Sequence, residues 1–193
     1  MGILDGKAVV VTGGGRGIGR GHCLHLAEQG AAVDVNDRDR AVPLARQIQL
    51  EGAALVAAQM LGIAESTLEL ATEYAKRREQ FGRPIGSFQA IKHMLADMFV
   101  RQEAARAAVY AAGATLDDPV VGDVARAVAS AKIVAGEAAM KNARACIQVH
   151  GGMGYTWEIP AHYYLKRAWV GENAFGDADE HADRVAEGVG ARA

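Results

Sequence analysis

The chain has 193 residues, of which half are hydrophobic and only 6% are aromatic, and its formal net charge is −2. This length suits one well-packed domain, or one domain with an additional short segment. An alanine-rich, aromatic-poor composition favours closely packed helices over a β-sandwich. A net charge so close to zero gives no electrostatic reason to expect nucleic acid or an anionic membrane surface as a partner.

The two cysteines and the apolar stretches restrict the cellular context. Cys23 and Cys146 lie far apart and form no CxxC pair, so neither a disulfide framework nor a metal site is expected. Such cysteine usage fits a reducing, cytoplasmic environment. The longest uncharged apolar stretch, Gly52–Ala64, is shorter than the roughly 20 residues that a membrane-spanning helix needs. No membrane association is therefore expected.

The first 40 residues have the pattern of an incomplete β-α-β segment. Ala8–Thr12 and Ala31–Asn36 are β-favouring runs, and a glycine-rich loop and a short helix, His22–Gln29, lie between them. Beyond Asp39 the strand signals stop. The pattern predicts a truncated Rossmann-like segment over residues 1–40 and a helical domain over residues 41–193.

The remainder predicts a mainly α fold, an up-down four-helix bundle. Helix starts are indicated by Ser87 as an N-cap and by the Asp118-Pro119 pair, and a helix end is indicated by Gly113. The four predicted helices are Leu44–Arg78, Ser87–Gly113, Asp118–Val149 and Pro160–Gly171. The acidic tail Asp177–Ala193 is expected to add a turn or to fray.

The glycine-rich loop, TGGGRGIG at Thr12–Gly19, is typical of a dinucleotide-binding turn. Gly13, Gly17 and Gly19 would let the backbone approach a pyrophosphate, and Asp37 would accept hydrogen bonds from a ribose. Residues 1–40 resemble the start of short-chain dehydrogenases/reductases. That family's Tyr-x-x-x-Lys pair has no counterpart here. An NAD(P)-dependent reductase is therefore only the second alternative, and a leftover or docking segment is favoured.

Two longer blocks carry a second resemblance. YAKRREQFGRPIGSFQAIKHMLADM at Tyr74–Met98 and QVHGGMGYTWEIPAHYYLKRA at Gln148–Ala168 resemble acyl-CoA dehydrogenases, in the order and at the separation found there. The resemblance spans about residues 44–183 and corresponds to that family's C-terminal helical domain. It implies α,β-dehydrogenation of an acyl-CoA thioester with FAD as hydride acceptor. It also implies a homo- or hetero-oligomer in which the FAD lies across a subunit interface.

The resemblance assigns cofactor contacts residue by residue. Arg78 matches the arginine that meets the FAD pyrophosphate of a neighbouring subunit, a role that suits a forked guanidinium. Phe81 matches an aromatic residue beside the adenosine half, Gln80 an adjacent polar contact, and Gln89 a residue near the adenine. Taken singly, Arg78 also suits a solvated helix-end cation, and Phe81 a core aromatic.

The second block supplies the other expected contacts. Gln148, Gly151 and Gly152 match the turn at which the backbone touches the diphosphate and ribityl chain, where a side chain would hold the cofactor away. An ordinary helix-breaking turn is the alternative for these glycines. His150, beside that turn, is interpreted as a structural histidine rather than a cofactor contact.

The catalytic base is not assigned with the same clarity. Most family members place a glutamate in a Tyr-Glu-Gly setting, which corresponds here to Ala174-Phe175-Gly176. Others place it early in the first helix, where Gly52 stands, with Glu51 one residue before it. Glu51 is the candidate base, and Glu172 is a weaker one.

Family members are about twice as long, so a complementary chain is expected to complete the site. The alternative is a non-catalytic, oligomerising helical bundle, the remnant of a fusion.

Overall fold

The computed structural model describes residues 2–11, 13–14, 17–35 and 38–190, with the backbone alone at residues 35, 38–41 and 188–190. The chain divides into two compact units, Met1–Gln49 and Leu50–Ala193. The predicted domain boundary after residue 40 stays a prediction, because a single helix runs through this region from Arg38.

The first unit contains two parallel strands joined by a helix. β1 (Ala8–Val11) pairs with β2 (Ala32–Val35) in a register that places Ala8 opposite Ala32, and α1 (Gly17–Glu28) connects them. The helix begins five residues before the predicted His22, because Gly17–Gly21 forms its first turns instead of a loop. Two short strands are the only sheet in the described part of this unit. A complete Rossmann-like sheet is therefore not present there.

The second unit consists of long helices and one small hairpin. Its elements in chain order are α2 (Arg38–Arg77, which begins in the first unit), β3 (Glu79–Gln80), β4 (Arg83–Pro84), a 3₁₀ turn (Ile85–Ser87), α3 (Gln89–Asp117), α4 (Val124–His150), a second 3₁₀ turn (Gly151–Tyr155), α5 (Ala161–Asn173) and α6 (Ala178–Gly190). The predicted four helices are all present. The tail forms a fifth, because the Asp177 carboxylate accepts the Glu180 N–H at 2.9 Å and caps α6.

Three predicted helix ends are wrong. Phe88, not Ser87, is the N-cap of α3, and the Ser87 hydroxyl instead donates to the Pro84 carbonyl at 2.7 Å. Helix α3 continues past Gly113 to Asp117, since one interior glycine costs only about 1 kcal/mol. Asp118 ends α3 rather than starting α4, whose N-cap is Asp123 with its carboxylate accepting the Arg126 N–H at 3.1 Å.

Helix α4 is the centre of the core. Its inward face carries mainly small side chains, which allow α2, α3 and α5 to approach closely. Asn142, fully buried on α4, donates to the Met98 carbonyl on α3 at 2.9 Å and to the Ala64 carbonyl on α2 at 3.4 Å. Because its amide needs partners from both neighbours, this residue specifies how three helices align.

Helices α2 and α3 are antiparallel neighbours, as an up-down bundle requires. The residues 51–58 of α2 lie beside the residues 109–116 of α3, and the Arg106 guanidinium of α3 binds the Glu65 carboxylate of α2 at 2.7 Å. By length and composition alone, Val42–Arg77 of α2 could also cross a membrane. Its residues Ala53, Ala57, Met60 and Ala64 instead pack into this protein's own core.

Candidate functional site

A groove of about 620 Å³ lies at one end of the bundle. It forms where α2 ends, the β3–β4 hairpin folds back, α3 begins and α4 ends. Sequence blocks that are about 70 residues apart in the chain therefore meet in one place, since the antiparallel order brings these helix ends together. The lining residues are Tyr74, Arg78, Gln80, Phe81, Ile85, Phe88, Ile91, Val149, His150, Gly151, Gly152 and Met153.

The hairpin presents an aromatic ring to this groove. Phe81 and Gly82 form its two-residue turn with φ values of 55° and 75°, the pattern of a type I′ turn. A left-handed backbone is unfavourable for phenylalanine, and the Phe81 side chain is 92% exposed. Its ring contacts that of Phe88 edge-on, with centroids 6.0 Å apart. A strained, exposed aromatic residue indicates a surface prepared for a ligand or a partner.

Arg78 supplies the groove with an available cation. Its N–H donates to the Tyr74 carbonyl at 2.8 Å and its carbonyl accepts the Ile85 N–H at 2.8 Å, so its backbone position is fixed. In the described part of the chain its guanidinium has no hydrogen bond or ion pair. The adjacent Arg77, in contrast, pairs with Glu73 at 3.1 Å. Arg78 therefore retains its forked donors for an anion such as a phosphate.

Two glycines form the opposite side of the groove. Gly151 ends α4 with φ 59° and ψ −137°, a conformation that only glycine adopts readily. A Cβ built at Gly151 or at Gly152 would meet no protein atom within 4 Å. At Gly154 it would lie 2.7 Å from the Ile147 carbonyl oxygen. Packing within the chain thus explains the glycine at 154 but not the one at 152, which leaves room for a ligand to approach the backbone.

His150 and Tyr74 also line the groove, and the sequence did not identify either as a contact. Their rings stack with centroids 4.2 Å apart, and the His150 Nδ1 lies 2.7 Å from the Cys146 carbonyl oxygen. A carbonyl only accepts, so Nδ1 carries a proton. Burial raises the pKa of the Cys146 thiol to about 12, so this cysteine is not a nucleophile. The i,i+4 spacing of Tyr74 and Arg78 could have indicated Tyr74, since both lie on one helix face.

Two predicted cofactor residues do not line the groove. Gln89 is the exposed first residue of α3, and Gln148 is exposed on the last turn of α4. Five of the seven residues assigned by the second resemblance, Arg78, Gln80, Phe81, Gly151 and Gly152, do come together there. The structure thus brings the two sequence blocks to one groove while leaving Gln89 and Gln148 outside it.

Glu51, the candidate base, lies elsewhere on α2. It is exposed at a second cavity of about 450 Å³ between α2 and α3, whose other lining residues are all apolar. The 27 positions that separate Glu51 from Arg78 correspond to about 40 Å along a helix. Gly52, the next residue, packs under the ring of Phe175, because a Cβ there would lie 2.3 Å from a ring carbon. The two alternative base positions inferred from the sequence are therefore neighbours in space.

Three described glycines of the first unit's motif have conformations or contacts that require glycine. Gly13 and Gly17 have φ values of 71° and 56°, and a Cβ on Gly19 would lie 2.3 Å from the Gly13 carbonyl oxygen. These values account for glycine at all three positions by backbone geometry alone. Asp37, the predicted ribose acceptor, lies outside the described residues. Binding of NAD(P) by this segment stays a prediction.

Comparison with known proteins relates the helical unit to one family. The family model described as "Acyl-CoA dehydrogenase, C-terminal domain" matches residues 44–190. Acyl-CoA dehydrogenase FadE34 of Mycobacterium tuberculosis is 48% identical over 116 residues, which cover 60% of this chain and 16% of that protein.

Among solved structures, the ChsE4-ChsE5 complex from Mycobacterium tuberculosis aligns with a TM-score of 0.71 and 33% identity, over 77% of this chain and 40% of that one. PigA with FAD and proline aligns with a TM-score of 0.70 and 28% identity, over 75% of this chain and 37% of PigA. The chain thus spans less than half the length of each of these proteins.

Proposed function

Because its residues 44–190 make this chain a member of the acyl-CoA dehydrogenase family, we propose that it is a subunit of an FAD-dependent acyl-CoA dehydrogenase. The reaction is the α,β-dehydrogenation of an acyl-CoA thioester. The observation that carries the proposal is the single groove lined by both Arg78 and the Gly151–Gly152 turn. Two family-like sequence blocks meet there, as binding of one dinucleotide requires.

The chemistry of the groove fits the adenosine diphosphate side of FAD. The Arg78 guanidinium offers a fork of donors for two phosphate oxygens. The exposed Phe81 ring offers a face for the adenosine, and the open turn at Gly151–Gly152 allows backbone contact with the diphosphate. A solved relative, PigA, binds FAD. When bound, FAD supplies the acceptor for the hydride that leaves the β-carbon.

A complementary chain completes the site in this proposal. The relatives are much longer than this chain, and one of them, ChsE4-ChsE5, is a complex of two chains. Glu51 lies about 40 Å along α2 from the groove, so the two cannot serve the same cofactor within one protomer. A neighbouring subunit must therefore supply either the base or the remainder of the flavin pocket.

The first test of this function is ligand titration of the purified chain with FAD, ADP and FMN. Because the groove takes the adenosine diphosphate half, FAD and ADP should bind and FMN should bind much more weakly. Arg78→Met should lower the FAD affinity by about ten-fold or more, the equivalent of about 1.4 kcal/mol. Arg77→Met is the matched control, since Arg77 lies one residue away but does not line the groove. Equal FAD affinity of the two variants, or preference for FMN, would contradict the proposal.

The alternative, a non-catalytic oligomerising bundle, is favoured by one observation: phenylalanine stands at position 175, where most family members have a glutamate. The discriminating experiment is acyl-CoA turnover by the chain assembled with a complementary subunit. Turnover that disappears on Glu51→Gln while flavin content is unchanged would reject the bundle and identify Glu51 as the base. Turnover retained in Glu51→Gln would place the base on the partner.

A nicotinamide-dependent reductase is the weakest alternative, because no tyrosine precedes a lysine by four residues anywhere in the chain. Calorimetric titration with NADH and NADPH tests it. No binding heat is expected, whereas saturable binding that is lost on Gly13→Val would support a nucleotide role for the first unit.

A further inference from the structure

The connection between α5 and α6 is held by side chains from two different helices. The Lys132 ammonium on α4 donates to the carbonyls of Glu172 and Gly176, both at 2.9 Å. The His181 Nε2 on α6 lies 3.1 Å from the carbonyl oxygen of Phe175. Three carbonyls within five residues are thus bound by two side chains, which we call the Lys132–His181 pair.

Both members of the pair are buried. Lys132 is 3% exposed and His181 is 1% exposed. Removing an ammonium group from water is costly, and backbone carbonyls at the end of α5 compensate it only in part. Burial lowers the pKa of Lys132 below its ordinary value, and the nearby Glu172 and Asp177 carboxylates oppose this effect. Such a cost indicates that the position of this connection matters to the molecule.

The hydrogen bonds of His181 define its tautomer. Nε2 faces a carbonyl, which only accepts, so it carries the proton. Nδ1 faces the Arg184 guanidinium at 3.4 Å, a group that only donates, so it is unprotonated. The neutral ring therefore bonds on both sides. A second proton on Nδ1 would place an N–H against Arg184 and remove one of these bonds.

The bound carbonyls determine where one aromatic side chain lies. Phe175 has φ 59° and Gly176 has φ 103°, so the connection follows a path that the chain would rarely adopt unsupported. Along this path the Phe175 ring lies on Gly52 of α2, at a site that has no room for a Cβ. Gly52 directly follows Glu51, so the ring lies one residue along α2 from the candidate base.

We propose that Lys132 and His181 are positioning residues. By binding the carbonyls of residues 172, 175 and 176, they hold the Phe175 ring on Gly52, one residue along α2 from Glu51. The positioning stands on the contacts alone, and only its consequence for the acyl-binding end of the site rests on the proposed function. An aromatic ring at this point narrows the space available to the acyl group next to α2.

The test is ¹⁹F NMR of the full chain labelled with 4-fluorophenylalanine. The chain has four phenylalanines, so four resonances are expected, and Phe175→Leu identifies the one that matters. In Lys132→Met and in His181→Leu, the resonance of Phe175, which is 41% exposed, should move towards that of Phe81, which is 92% exposed. The Phe81, Phe88 and Phe99 resonances should stay in place. The readout needs neither flavin nor substrate, so its failure is distinguishable from failure of the proposed function.

Two controls separate positioning from general stability. Lys141→Met removes an exposed lysine of the same helix that pairs with Glu137, and it should move no resonance. His181→Gln retains an N–H donor and should keep the Phe175 resonance close to its wild-type position. An unchanged Phe175 resonance in folded Lys132→Met and His181→Leu would overturn the proposal. Loss of helical circular dichroism in both variants would also overturn it, because the pair would then serve stability in general.

Discussion

Phe81 is an unfavourable residue type for the turn position that it occupies. A type I′ hairpin favours asparagine or aspartate followed by glycine, and this chain has glycine second but phenylalanine first. The ring is 92% exposed, so burial in the chain does not offset the left-handed backbone. A binding role accounts for both features, because a ligand or neighbouring subunit would cover the ring.

Phe81→Asn should therefore stabilise the isolated chain and weaken FAD binding. Asn-Gly is the preferred pair for this turn, so the free energy of unfolding should rise by about 0.5–1 kcal/mol. Chemical denaturation measures the first effect, and FAD titration the second. A loss of stability would mean that the Phe81–Phe88 contact outweighs the backbone strain. Unchanged FAD affinity would remove Phe81 from the binding surface.

Gly152 and Gly154 make a matched pair for the neighbouring turn. Gly152→Ala should leave the unfolding free energy within about 0.5 kcal/mol, since nothing lies near its Cβ position, yet lower the FAD affinity by several-fold. Gly154→Ala should destabilise the chain by about 1–3 kcal/mol, because its Cβ would overlap the Ile147 carbonyl. Thermal unfolding and FAD titration of both variants check this. The reverse pattern would show that the open side of Gly152 is not the ligand side.

The sequence predicts those residues of the groove whose chemical role can be recognised from a motif. Arg78 and Gly151 stand out because a forked cation and a glycine turn suit a diphosphate in any context. The sequence predicts a structural role for His150. The residue is buried, with its Nδ1 2.7 Å from the Cys146 carbonyl oxygen, yet it also lines the groove. The sequence does not show that His150 lines the groove. This position follows from its stacking with Tyr74, a contact between two helices that no local pattern encodes.

Helix α4 illustrates how an element is determined by the size of its side chains. Six of its fifteen buried residues are alanines and one is glycine, so the neighbouring helices pack close to its backbone. Sequence predicted this helix from its apolar spacing. The predicted start at Asp118 is wrong by five residues, because the N-cap is Asp123. The Asp118-Pro119 pair and Asp123 both carry N-cap signals, and only tertiary packing decides between them.

Enlarging the buried face of α4 should be costly. Ala139→Leu should lower the unfolding free energy by about 1–3 kcal/mol, because a fully packed interface cannot admit three more carbons without strain. Ala125→Leu, at an exposed position of the same helix, should change it by less than about 0.5 kcal/mol. Urea denaturation of both variants provides the comparison. Equal effects would indicate a loosely packed α4.

Helix α6 should loosen in mild acid through His181. Burial lowers the pKa of this histidine below its ordinary 6.5, and the facing Arg184 and Lys132 charges act in the same direction, against Glu180. The unfolded chain therefore binds a proton before the folded one does. The contribution of the neutral ring is complete above about pH 6.5 and is lost as the pH falls towards the folded pKa. Denaturation midpoints at about pH 7.5 and pH 5.5 should differ less in His181→Gln than in the wild type.

At the scale of the whole molecule, two sequence blocks indicate family membership, whereas their meeting in one groove depends on the antiparallel packing of the helices. A motif reports the residues that contact a cofactor, but the distance between them and a base depends on the length of α2. The 40-residue helix α2 places Glu51 and Arg78 far apart, as the predicted helix Leu44–Arg78 already implies. The sequence does indicate the incomplete sheet of the first unit, because the strand signals stop beyond Asp39 and the described residues of this unit form two strands.

Assembly and FAD binding should be coupled. If a neighbouring subunit completes the flavin side of the groove, the apparent FAD affinity should rise with protein concentration through the range in which the chain associates. By linkage, FAD should also shift the sedimentation distribution towards larger species. ADP, which this groove can hold alone, should do neither. Concentration-independent FAD affinity would mean that each subunit binds the whole cofactor by itself.

The length of α2 also bears on inheritance and on mixed populations of subunits. In the proposed assembly, one end of this helix serves the neighbour's reaction centre while the other end faces a different centre. If the neighbour is a second copy of this chain and Glu51 is the base, loss of Arg78 in one copy would abolish turnover at the neighbour's centre and leave turnover at its own Glu51 intact. In a mixture of intact and variant chains, the variant would then lower the activity of the intact chain. Two chains with different defects could together restore activity.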